Sequence, residues 1–287
     1  MHNTVYVVLI VHNTVLKTDF QPLFYSGNDA AGIVVEVGSG VSAFKPGDKV
    51  YTTKTLSGAY AECSLVTADS LHLIPGSLSF AEAAALPTPY LTAFRGLIQR
   101  GRAKASDTVL IHGASGGVGV AAVQFARAYG MTVFGTAGTD RGLDIVKQAG
   151  AHMSFNHREK EYTGRMLLAT GNRGFNVIVE NAAHINLGKD LEMLSPGGCV
   201  AVVGSRGPIQ VNPRDAMSRE ASVVGVMLFQ ASDRELADAH AAIRGGAEAG
   251  WLKPIVGKQY PLSEAAAAHK EIMEGSGALG KMVLVVE

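Results

Sequence analysis

The chain has 287 residues, and its 25 acidic and 25 basic side chains give a formal net charge of zero at pH 7. This length predicts about two domains, each large enough to bury its own core. The charge balance excludes a general attraction to nucleic acid or to an anionic membrane, so small molecules and like subunits are the expected partners.

Two further features predict a cytoplasmic protein. Cys63 and Cys199 are the only cysteines, which excludes a secreted disulfide framework and a four-cysteine zinc site. The apolar run 5–11 has no basic flank or small-residue cleavage site, and it is too short to span a bilayer. We therefore expect no targeting signal and no membrane partner.

The N-terminal part of the chain shows strand and turn patterns from residue 29 to residue 74. Strands are predicted at 31–37 and 60–65, and a tight turn at 45–49, so a small β-barrel or sandwich is expected. From Ser79 the pattern becomes helical, because Ser79 and Glu82 fit a capping box and alanine-rich segments follow through 86 and from 90 to 100. This change predicts a domain boundary.

The most informative motif is a glycine-rich turn between a buried strand and a helix. A strand at 108–111 runs into His112-Gly-Ala-Ser-Gly-Gly-Val-Gly119, followed by a helix over 118–128 that stops at Gly130 and by a strand at 132–136. Glycines let the backbone approach a pyrophosphate, whose charge then lies at the positive end of the helix. The whole unit predicts a dinucleotide-binding βαβ motif.

Strands and helices continue to alternate after this motif. Buried strands are predicted at 177–180, 199–203 and 222–226, which favours an α/β fold with a Rossmann-type doubly wound parallel sheet. A helix over 233–249, a strand around Gln259 and a strand over 281–286 follow. We expect a nucleotide-binding domain at residues 93–253 and a substrate domain at residues 1–92 and 254–287.

The sequence resembles the zeta-crystallin, or NADPH:quinone oxidoreductase, branch of the medium-chain dehydrogenase/reductase superfamily, whose members do not use zinc. The motifs that carry the resemblance are Gly27-Asn-Asp-Ala-Ala-Gly32, Phe44-Lys-Pro-Gly-Asp48, Pro89-Tyr-Leu-Thr-Ala93, His112-Gly-Ala-Ser-Gly-Gly-Val-Gly119, Gly135-Thr-Ala-Gly-Thr139, Phe155-Asn-His-Arg158, Val203-Gly-Ser-Arg206 and Gly250-Trp-Leu-Lys-Pro254. The resemblance implies a GroES-like β-barrel substrate domain, NADPH as cofactor, a quinone or enone as substrate, and a homo-oligomer, either a dimer or a tetramer.

The resemblance also implies which residues surround the cofactor. It places the pyrophosphate at Ser115, Gly116, Gly117 and Val118, and the adenosine ribose and its phosphate at Gly138 and His157. Further contacts are implied for Asn186, Val203, Gly204, Ser205 and Arg206, and contacts towards the nicotinamide for Val226, Met227 and Leu228. Structural alternatives stay open, with Gly138 as a turn glycine, Asn186 as a helix cap, His157 as a surface histidine and 226–228 as a core strand.

The end of the second strand bears on the choice between NAD and NADP. An NAD site places an acidic side chain there, about 20 residues beyond the glycines, and such a carboxylate would repel a 2′-phosphate. The strand instead ends before Gly138, and the nearest acid, Asp140, is predicted to begin the next helix. Arg141, His157 and Arg158 supply positive charge, so NADPH is favoured, with Asp140 keeping NAD open.

Zinc-dependent members of the superfamily hold a catalytic metal with a cysteine, a Gly-His-Glu motif and a third ligand, where this chain has Gly27-Asn28-Asp29. Metal independence is therefore predicted. A quinone is itself electrophilic, so positioning and water exclusion are expected to supply most of the catalysis. Tyr90 and Thr92 are candidate catalytic residues, with a packed aromatic and a helix-starting threonine as alternatives.

The N-terminal segment departs from the family. Relatives carry a longer segment before the position matching Tyr25, and here residues 1–24 replace it, with Tyr6 as a candidate for a tyrosine near the nicotinamide. An incomplete substrate domain with exposed strand edges is the expectation. Three hypotheses follow: an NADPH-dependent quinone or enone reductase with weak turnover, a catalytically weak nucleotide-binding or crystallin-like protein, and RNA binding as a secondary activity.

Overall fold

The computed structural model describes residues 4–8, 27–76, 78–275 and 277–286. The chain divides into two compact units. The first unit comprises Met1–Thr88, Lys253–Gly275 and Lys281–Glu287, and the second comprises Pro89–Leu252 and Ser276–Gly280. The predictions for residues 9–24 and for the side chain of Tyr6 lie outside the described residues.

The first unit contains a five-stranded antiparallel sheet. Its strands are β1 Thr4–Val8, β2 Ala30–Val37, β3 Lys49–Thr52, β4 Cys63–Thr67 and β5 Leu71–Leu73. They pair in the order β4-β1-β2-β3-β5. Val34, Val50, Val66 and Leu71 form the core against this sheet.

Strand β1 comes from the segment that departs from the family. It pairs with β2 from Val5↔Val37 to Val8↔Ile33, and with β4 from Thr4↔Thr67 to Val8↔Cys63. The expectation of exposed strand edges is therefore wrong for the edges of β2 and β4 that face β1, whereas β4 remains the end strand of the sheet among the described residues. The backbone of any extended run carries the donors and acceptors that a sheet requires, so a different sequence can fill the gap.

Strand β4 begins at Cys63, later than the predicted start at residue 60. The N–H of Ala59 donates to the carbonyl of Gly27 at 3.0 Å. Gly27 has a φ of +92°, and a Cβ there would lie 2.5 Å from the Tyr60 ring. Long-range packing thus holds residues 59–61 in a loop, which the local pattern does not reveal.

Helix α1, Phe80–Ala84, begins with the predicted capping box. The Ser79 hydroxyl accepts from the N–H of Glu82 at 3.3 Å, and the Glu82 carboxylate accepts from the N–H of Ser79 at 2.8 Å. Helix α2, Pro87–Phe94, continues as a π-helix over Arg95–Arg100. The predicted helix over 90–100 is therefore present, with wider final turns.

The second unit contains a six-stranded parallel sheet. Its strands are β6 Thr108–Ile111, β7 Thr132–Ala137, β8 Met153–Asn156, β9 Phe175–Glu180, β10 Leu194–Val202 and β11 Ser222–Gly225. Their order is β11-β10-β9-β6-β7-β8. The predicted Rossmann-type α/β fold is confirmed, although β8 was missed because Phe155 is its only buried residue.

Helices cover the sheet of the second unit. They are α3 Gly117–Ala128, α4 Asp140–Gln148, α5 Tyr162–Ala169, α6 Ala183–Met193, α7 Pro213–Met217 and α8 Asp233–Glu248. Every residue of α3 from 119 to 126 is buried. This helix is therefore covered on all sides and not only along one apolar stripe.

Aromatic packing joins the helices to the sheet. The ring of Phe134 lies 6.0 Å from that of Phe155 and 5.3 Å from that of Phe175. Met166 of α5 and Leu191 of α6 belong to the same core. Because each such side chain contributes about 1.5–3 kcal/mol when fully buried, this core fixes α6 in its place on the sheet.

The C-terminal part returns the chain to the first unit. Its elements are β12 Val256–Pro261, α9 Ala265–Glu274 and β13 Lys281–Val285. Strands β12 and β13 are parallel to each other. None of the helices in the described ranges is long and apolar enough to cross a membrane.

Candidate functional site

The carboxyl ends of β6 and β9 lie side by side at the reversal point of the sheet. The chain proceeds outward from β6 to β8 on one side and from β9 to β11 on the other. Open α/β sheets bind ligands at such a point, outside the carboxyl ends of the strands. His112 follows β6 and Glu180 ends β9, so the loops after these two residues form the candidate site.

The glycine loop turns tightly at this edge. Gly113 has a φ of +62°, and its carbonyl accepts from the N–H of Gly116 at 3.1 Å. A Cβ on Gly119 would lie 2.3 Å from the Gly113 oxygen and 2.5 Å from the Ala114 Cα. Since these are backbone atoms that cannot move aside, position 119 requires glycine.

The N-terminus of α3 follows directly from the glycine loop, and Gly116 also forms a parallel bridge with Gly280. Gly116 is its N-cap residue, and no side chain closes the first turn. Gly116, Gly117 and Val118 are half-buried. The N–H groups of a first turn have no partner within the helix and carry the positive end of its dipole, so this backbone fits a pyrophosphate.

Ser115 lies in the loop, but its hydroxyl is already engaged. The side chain is buried, and its Oγ donates to the carbonyl of Ala278 at 2.7 Å. The N–H of Gly280 donates back to the Ser115 carbonyl at 2.7 Å. Ser115 thus ties residues 277–280 to the glycine loop, and its contact with an anion is expected from the backbone.

Two basic side chains lie at the end of β7. A Cβ on Gly138 would meet Nε2 of His157 at 2.7 Å and Nε of Arg158 at 3.0 Å. Thr139 caps α4 by accepting from the N–H of Gly142 at 3.1 Å. Asp140 is exposed as the first residue of that helix, as predicted. The neighbours of Gly138 therefore suit a phosphate better than a ribose hydroxyl.

The charge beside Gly138 is carried by arginine. Partial burial, followed by the charges of His112 and Arg158, lowers the pKa of His157. The imidazole is therefore mainly neutral at pH 7. Arg158 supplies a permanent charge, and Arg141 is exposed in the first turn of α4.

The Val203–Gly204 segment lies against the end of β9. The N–H groups of Val203 and Gly204 donate to the carbonyl of Glu180 at 2.8 and 3.2 Å. A Cβ on Gly204 would lie 2.5 Å from the Asn181 oxygen. Because Asn181 also donates from Nδ2 to the His112 carbonyl at 2.8 Å, this segment and the glycine loop share one edge.

Asn186, Ser205 and Arg206 surround the same segment. Asn186 lies within α6 and does not cap it, and its Nδ2 donates to Oε1 of Glu180 at 3.4 Å. Ser205 and Arg206 are exposed. The N–H of Arg206 donates to Nδ1 of His184 at 3.2 Å, which leaves the Arg206 guanidinium on the surface.

The three residues predicted towards the nicotinamide follow strand β11 and do not belong to it. Val226 and Leu228 are buried, whereas Met227 is 58% exposed. The N–H of Val226 donates to the Val202 carbonyl at 2.9 Å. A Cβ on Gly96 would lie 3.4 Å from Val203 and 3.8 Å from Val226, so these two valines are neighbours.

Tyr90 and Thr92 occupy the interior of the second unit. Tyr90 is 1% exposed, and its hydroxyl donates to Oε1 of Gln124 at 2.8 Å. Its ring packs edge-on against Phe125 at 6.0 Å. Thr92 is also buried, within α2. These positions favour the packing alternatives over direct contact with a substrate.

Sequence reasoning missed a buried polar cluster beneath the glycine loop. We refer to His112, Thr136, Glu180 and Asp190 as the buried cluster. The imidazole contacts Thr136 Oγ1 from Nδ1 at 3.1 Å and Asp190 Oδ1 from Nε2 at 3.0 Å, and its Nε2 lies 3.8 Å from Glu180 Oε2. All four side chains are at most 2% exposed. Since their positions span four elements, no local motif signals them.

The first unit carries a second polar group at the stretch that corresponds to the zinc-ligand motif of relatives. Asp29 Oδ1 accepts from the N–H and the hydroxyl of Thr88 at 3.1 and 2.5 Å. Its other oxygen accepts from Nζ of Lys281 at 3.2 Å. The carboxylate is thus compensated by an ammonium group and a hydroxyl, and this stretch does not fit a zinc ligand set.

Two family descriptions match the chain. Residues 6–94 match the alcohol dehydrogenase GroES-like domain, and residues 117–243 match the family described as zinc-binding dehydrogenase. These ranges cover most of the sheet of the first unit and five of the six strands of the second sheet.

A curated relative decides the family. The quinone oxidoreductase of Pongo abelii is 51% identical over 260 residues, which are 91% of this chain and 79% of the relative. The chain belongs to the quinone oxidoreductase family. This is the zeta-crystallin branch of the medium-chain dehydrogenase/reductase superfamily, so the predicted family is confirmed.

Solved structures agree with this quinone oxidoreductase fold. Quinone oxidoreductase of Escherichia coli complexed with NADPH superposes with a TM-score of 0.84 and 27% identity, covering 99% of this chain and 92% of that one. An NAD-dependent alcohol dehydrogenase superposes with a TM-score of 0.86 and 27% identity, with the same coverage. Because relatives with different cofactors match equally well, the choice of cofactor depends on local residues such as those around Gly138.

Proposed function

We propose that this member of the quinone oxidoreductase family uses NADPH to reduce quinones or related electron-poor enones, without a catalytic metal. One observation carries the proposal: a glycine loop that begins helix α3 lies at the reversal point of the sheet. It does so in a chain 51% identical over 260 residues to a curated quinone oxidoreductase. The position of the loop supports nucleotide binding, and the sequence identity to this relative supports a quinone as the substrate.

The described residues suggest how the nucleotide would be held. The pyrophosphate would lie beside Gly116, Gly117 and Val118 at the positive end of α3, with Gly116 shaping the turn through its bond to the Gly113 carbonyl. Val203 and Gly204 lie at the same edge, with Asn186 close to them through Glu180. Val226 neighbours Val203, which supports the proposal that the cofactor continues along this line towards residues 226–228.

The residues around Gly138 support NADPH over NADH. Arg158 and His157 both approach Gly138, and Asp140 is used as a helix-starting residue. A 2′-phosphate at this place would gain a charge-assisted contact with an arginine, which strengthens binding more than a neutral contact does. Arg141 is a further candidate for the same phosphate.

Bound NADPH supplies a hydride, and the protein supplies orientation and exclusion of water. A quinone carbonyl accepts the hydride readily because the ring is electron-poor. The buried hydroxyls of Tyr90 and Thr92 do not support a role as acid or base. Nothing in the described residues favours the alternatives of a catalytically weak nucleotide-binding protein or of RNA binding.

NADPH oxidation in the presence of an ortho-quinone tests the proposal. Quinone-dependent loss of NADPH absorbance and saturable NADPH binding without quinone are the expected results. Gly117→Asp places a carboxylate against the phosphates and should abolish both. Asp144→Asn, on the exposed surface of α4, is the matched control that should leave both unchanged. Tight NADPH binding without any quinone turnover would favour the catalytically weak alternative.

We also propose that the chain forms a homo-oligomer through the edge of the second sheet. Strand β11 ends that sheet, and Val223, Met227 and Phe229 on or after it are 48%, 58% and 64% exposed. Apolar side chains at a sheet edge favour pairing with another copy. Analytical ultracentrifugation of the unmodified chain and of the Phe229→Glu variant tests this. The variant should sediment as a smaller assembly than the unmodified chain. A cytoplasmic location stays a prediction.

A further inference from the structure

The buried cluster contains two carboxyl groups and no side chain with a permanent positive charge. Glu180 and Asp190 are both 0% exposed. Oε2 of Glu180 and Oδ2 of Asp190 have no hydrogen-bond partner among the described residues. Two buried carboxylates without a cation would be strongly unfavourable, so something positive must lie between them.

The hydrogen bonds of the cluster indicate where protons lie. The N–H of Gly113 donates to Thr136 Oγ1 at 3.3 Å, which leaves the Thr136 hydroxyl free to donate to Nδ1 of His112. The Nε2–H of His112 then donates to Asp190 Oδ1 at 3.0 Å. This order uses a neutral imidazole, and it leaves Oε2 of Glu180 and Oδ2 of Asp190 without a donor.

The other oxygen of Glu180 is already occupied. Oε1 accepts from the N–H of Ala182 and from Nδ2 of Asn186. One ring nitrogen of His112 and one carboxylate oxygen each of Glu180 and Asp190 lie within 4.8 Å of one another. A single proton shared by the two carboxyl groups would supply this buried pair with the donor that it lacks.

We propose that Glu180 and Asp190 share one proton and that the resulting chain of hydrogen bonds positions the glycine loop against the Val203–Gly204 segment. The second part rests on the proposed nucleotide site. Glu180 contacts both the Val203–Gly204 segment and the buried cluster. Its backbone carbonyl accepts from the N–H groups of Val203 and Gly204, and its carboxyl group belongs to the cluster. Asp190 and His112 are positioning residues, since they act on the loop through Thr136 and Gly113.

The directions of the pKa shifts of the three groups support a carboxyl pair that retains a proton near neutral pH. Burial raises the pKa of Glu180 to about 7, and burial likewise raises the pKa of Asp190 to about 7. Burial lowers the pKa of His112, so the imidazole stays neutral. With one shared proton, the two carboxyl groups carry a single negative charge beside a neutral imidazole. Coupled groups of this kind titrate as a pair and not as separate residues.

Charged and titratable groups around the cluster come from three places. Lys189 of α6 is exposed, and its Nζ lies 5.6 Å from the centre of the Tyr162 ring. Burial raises the pKa of Tyr162, with Asp190 and Glu180 adding to the effect, so this phenol of α5 stays neutral. Partial burial, followed by His112 and Arg158, lowers the pKa of His157, which follows β8. The charge of Lys189 lowers the pKa of Asp190, but by less than burial raises it.

Amide substitutions test the shared proton directly. Glu180→Gln or Asp190→Asn replaces the protonated oxygen with an NH2 group, which donates to the remaining carboxylate and removes the titration. The double variant Glu180→Gln/Asp190→Asn turns two NH2 groups towards each other and should unfold at lower denaturant concentration than either single variant. Asp144→Asn controls for the loss of a carboxylate at the surface.

The pH dependence of unfolding is the first readout, and it needs no nucleotide. The raised folded-state pKa means that the native pair holds a proton that the unfolded chain releases. The stability that this pair contributes is therefore fully present below the unfolded pKa of about 4 and is lost as pH rises through about 7. The folding equilibrium constant of the unmodified chain, divided by that of either single amide variant, should fall about tenfold per pH unit between about pH 5 and 7. A ratio that does not change with pH would overturn the proposal.

NADPH affinity is the second readout. Asp190→Ala should weaken binding about 10- to 100-fold, and Asp190→Asn should recover most of that loss. Equal loss in the alanine and asparagine variants would overturn the positioning role. Failure of every form to bind NADPH would refute the proposed function, whereas the unfolding ratio would still decide the shared proton. One divalent cation per chain in the unmodified protein, released by chelator and absent from Asp190→Asn, would also overturn the proposal.

Discussion

The ammonium group of Lys281 lies 3.2 Å from Oδ2 of Asp29, across 252 positions of the chain. Asp29 stands where zinc-dependent relatives carry the glutamate of their ligand motif. Lys281 supplies a positive charge to the partly buried Asp29 carboxylate, which is thereby stabilised by groups of the chain itself.

This pair predicts that quinone reduction does not depend on metal. Elemental analysis of the purified chain should find no stoichiometric zinc, and prolonged dialysis against chelator should leave NADPH oxidation unchanged. The control is a zinc alcohol dehydrogenase treated in the same way. Activity that disappears with chelator and returns with zinc would contradict the prediction.

The basic side chains at Gly138 predict a preference for NADPH. A charge-assisted contact contributes about 1.5–3 kcal/mol, which corresponds to roughly 10- to 100-fold tighter binding of NADPH than of NADH. Arg158→Ala and Arg141→Ala should reduce this ratio while NADH affinity changes little. His157→Ala should reduce it less, because the lowered pKa keeps the imidazole mainly neutral at pH 7.

Dissociation constants for both nucleotides, measured by fluorescence titration, check this preference. Lys160→Ala, exposed on the same turn as Arg158, is the matched control and should leave the ratio unchanged. Equal affinity of the unmodified protein for NADPH and NADH would contradict the assignment and return Asp140 to consideration as a ribose ligand.

Position 119 predicts a close link between loop geometry and nucleotide binding. Gly119→Ala places a Cβ 2.3 Å from the Gly113 carbonyl oxygen, so the loop must shift or the helix must move away. We expect NADPH affinity to fall at least about tenfold and the free energy of unfolding to fall by about 1–3 kcal/mol. Calorimetric binding and denaturant titration measure the two effects.

Gly245→Ala is the matched control for Gly119→Ala. Gly245 lies within α8, and a Cβ there meets nothing within 4 Å. Since alanine is the better helix former, this variant should gain about 0.5–1 kcal/mol and keep its NADPH affinity. Unchanged NADPH affinity in Gly119→Ala would show that the loop tolerates a side chain at this point.

The buried hydroxyl of Tyr90 predicts a loss of stability and not of activity. Tyr90→Phe removes the donor that satisfies Oε1 of Gln124, which should cost about 1–3 kcal/mol of unfolding free energy. kcat/KM for an ortho-quinone should stay within about twofold of the unmodified enzyme. A loss of kcat at unchanged stability would instead support the catalytic role that the sequence suggests for Tyr90.

Local sequence patterns determined the nucleotide-binding half of this protein. The strand before His112, the glycines after it and the apolar face of α3 occupy adjacent positions, so the short-range physics of turns, strands and helices is visible in the order of residues. The same reasoning gave Ser79 as a helix cap and Asp140 as a helix start. The family resemblance added the substrate class, which no local pattern contains.

Tertiary structure alone decided the contacts between distant residues. His112 and Asp190 are 78 positions apart, and they meet because the sheet order places β6 beside β9 and packs α6 against it. Asp29 finds Lys281, and Tyr60 leaves its predicted strand, for the same kind of reason. Burial and pairing energies depend on which surfaces the whole chain brings together, and a local window of sequence holds no record of its distant partners.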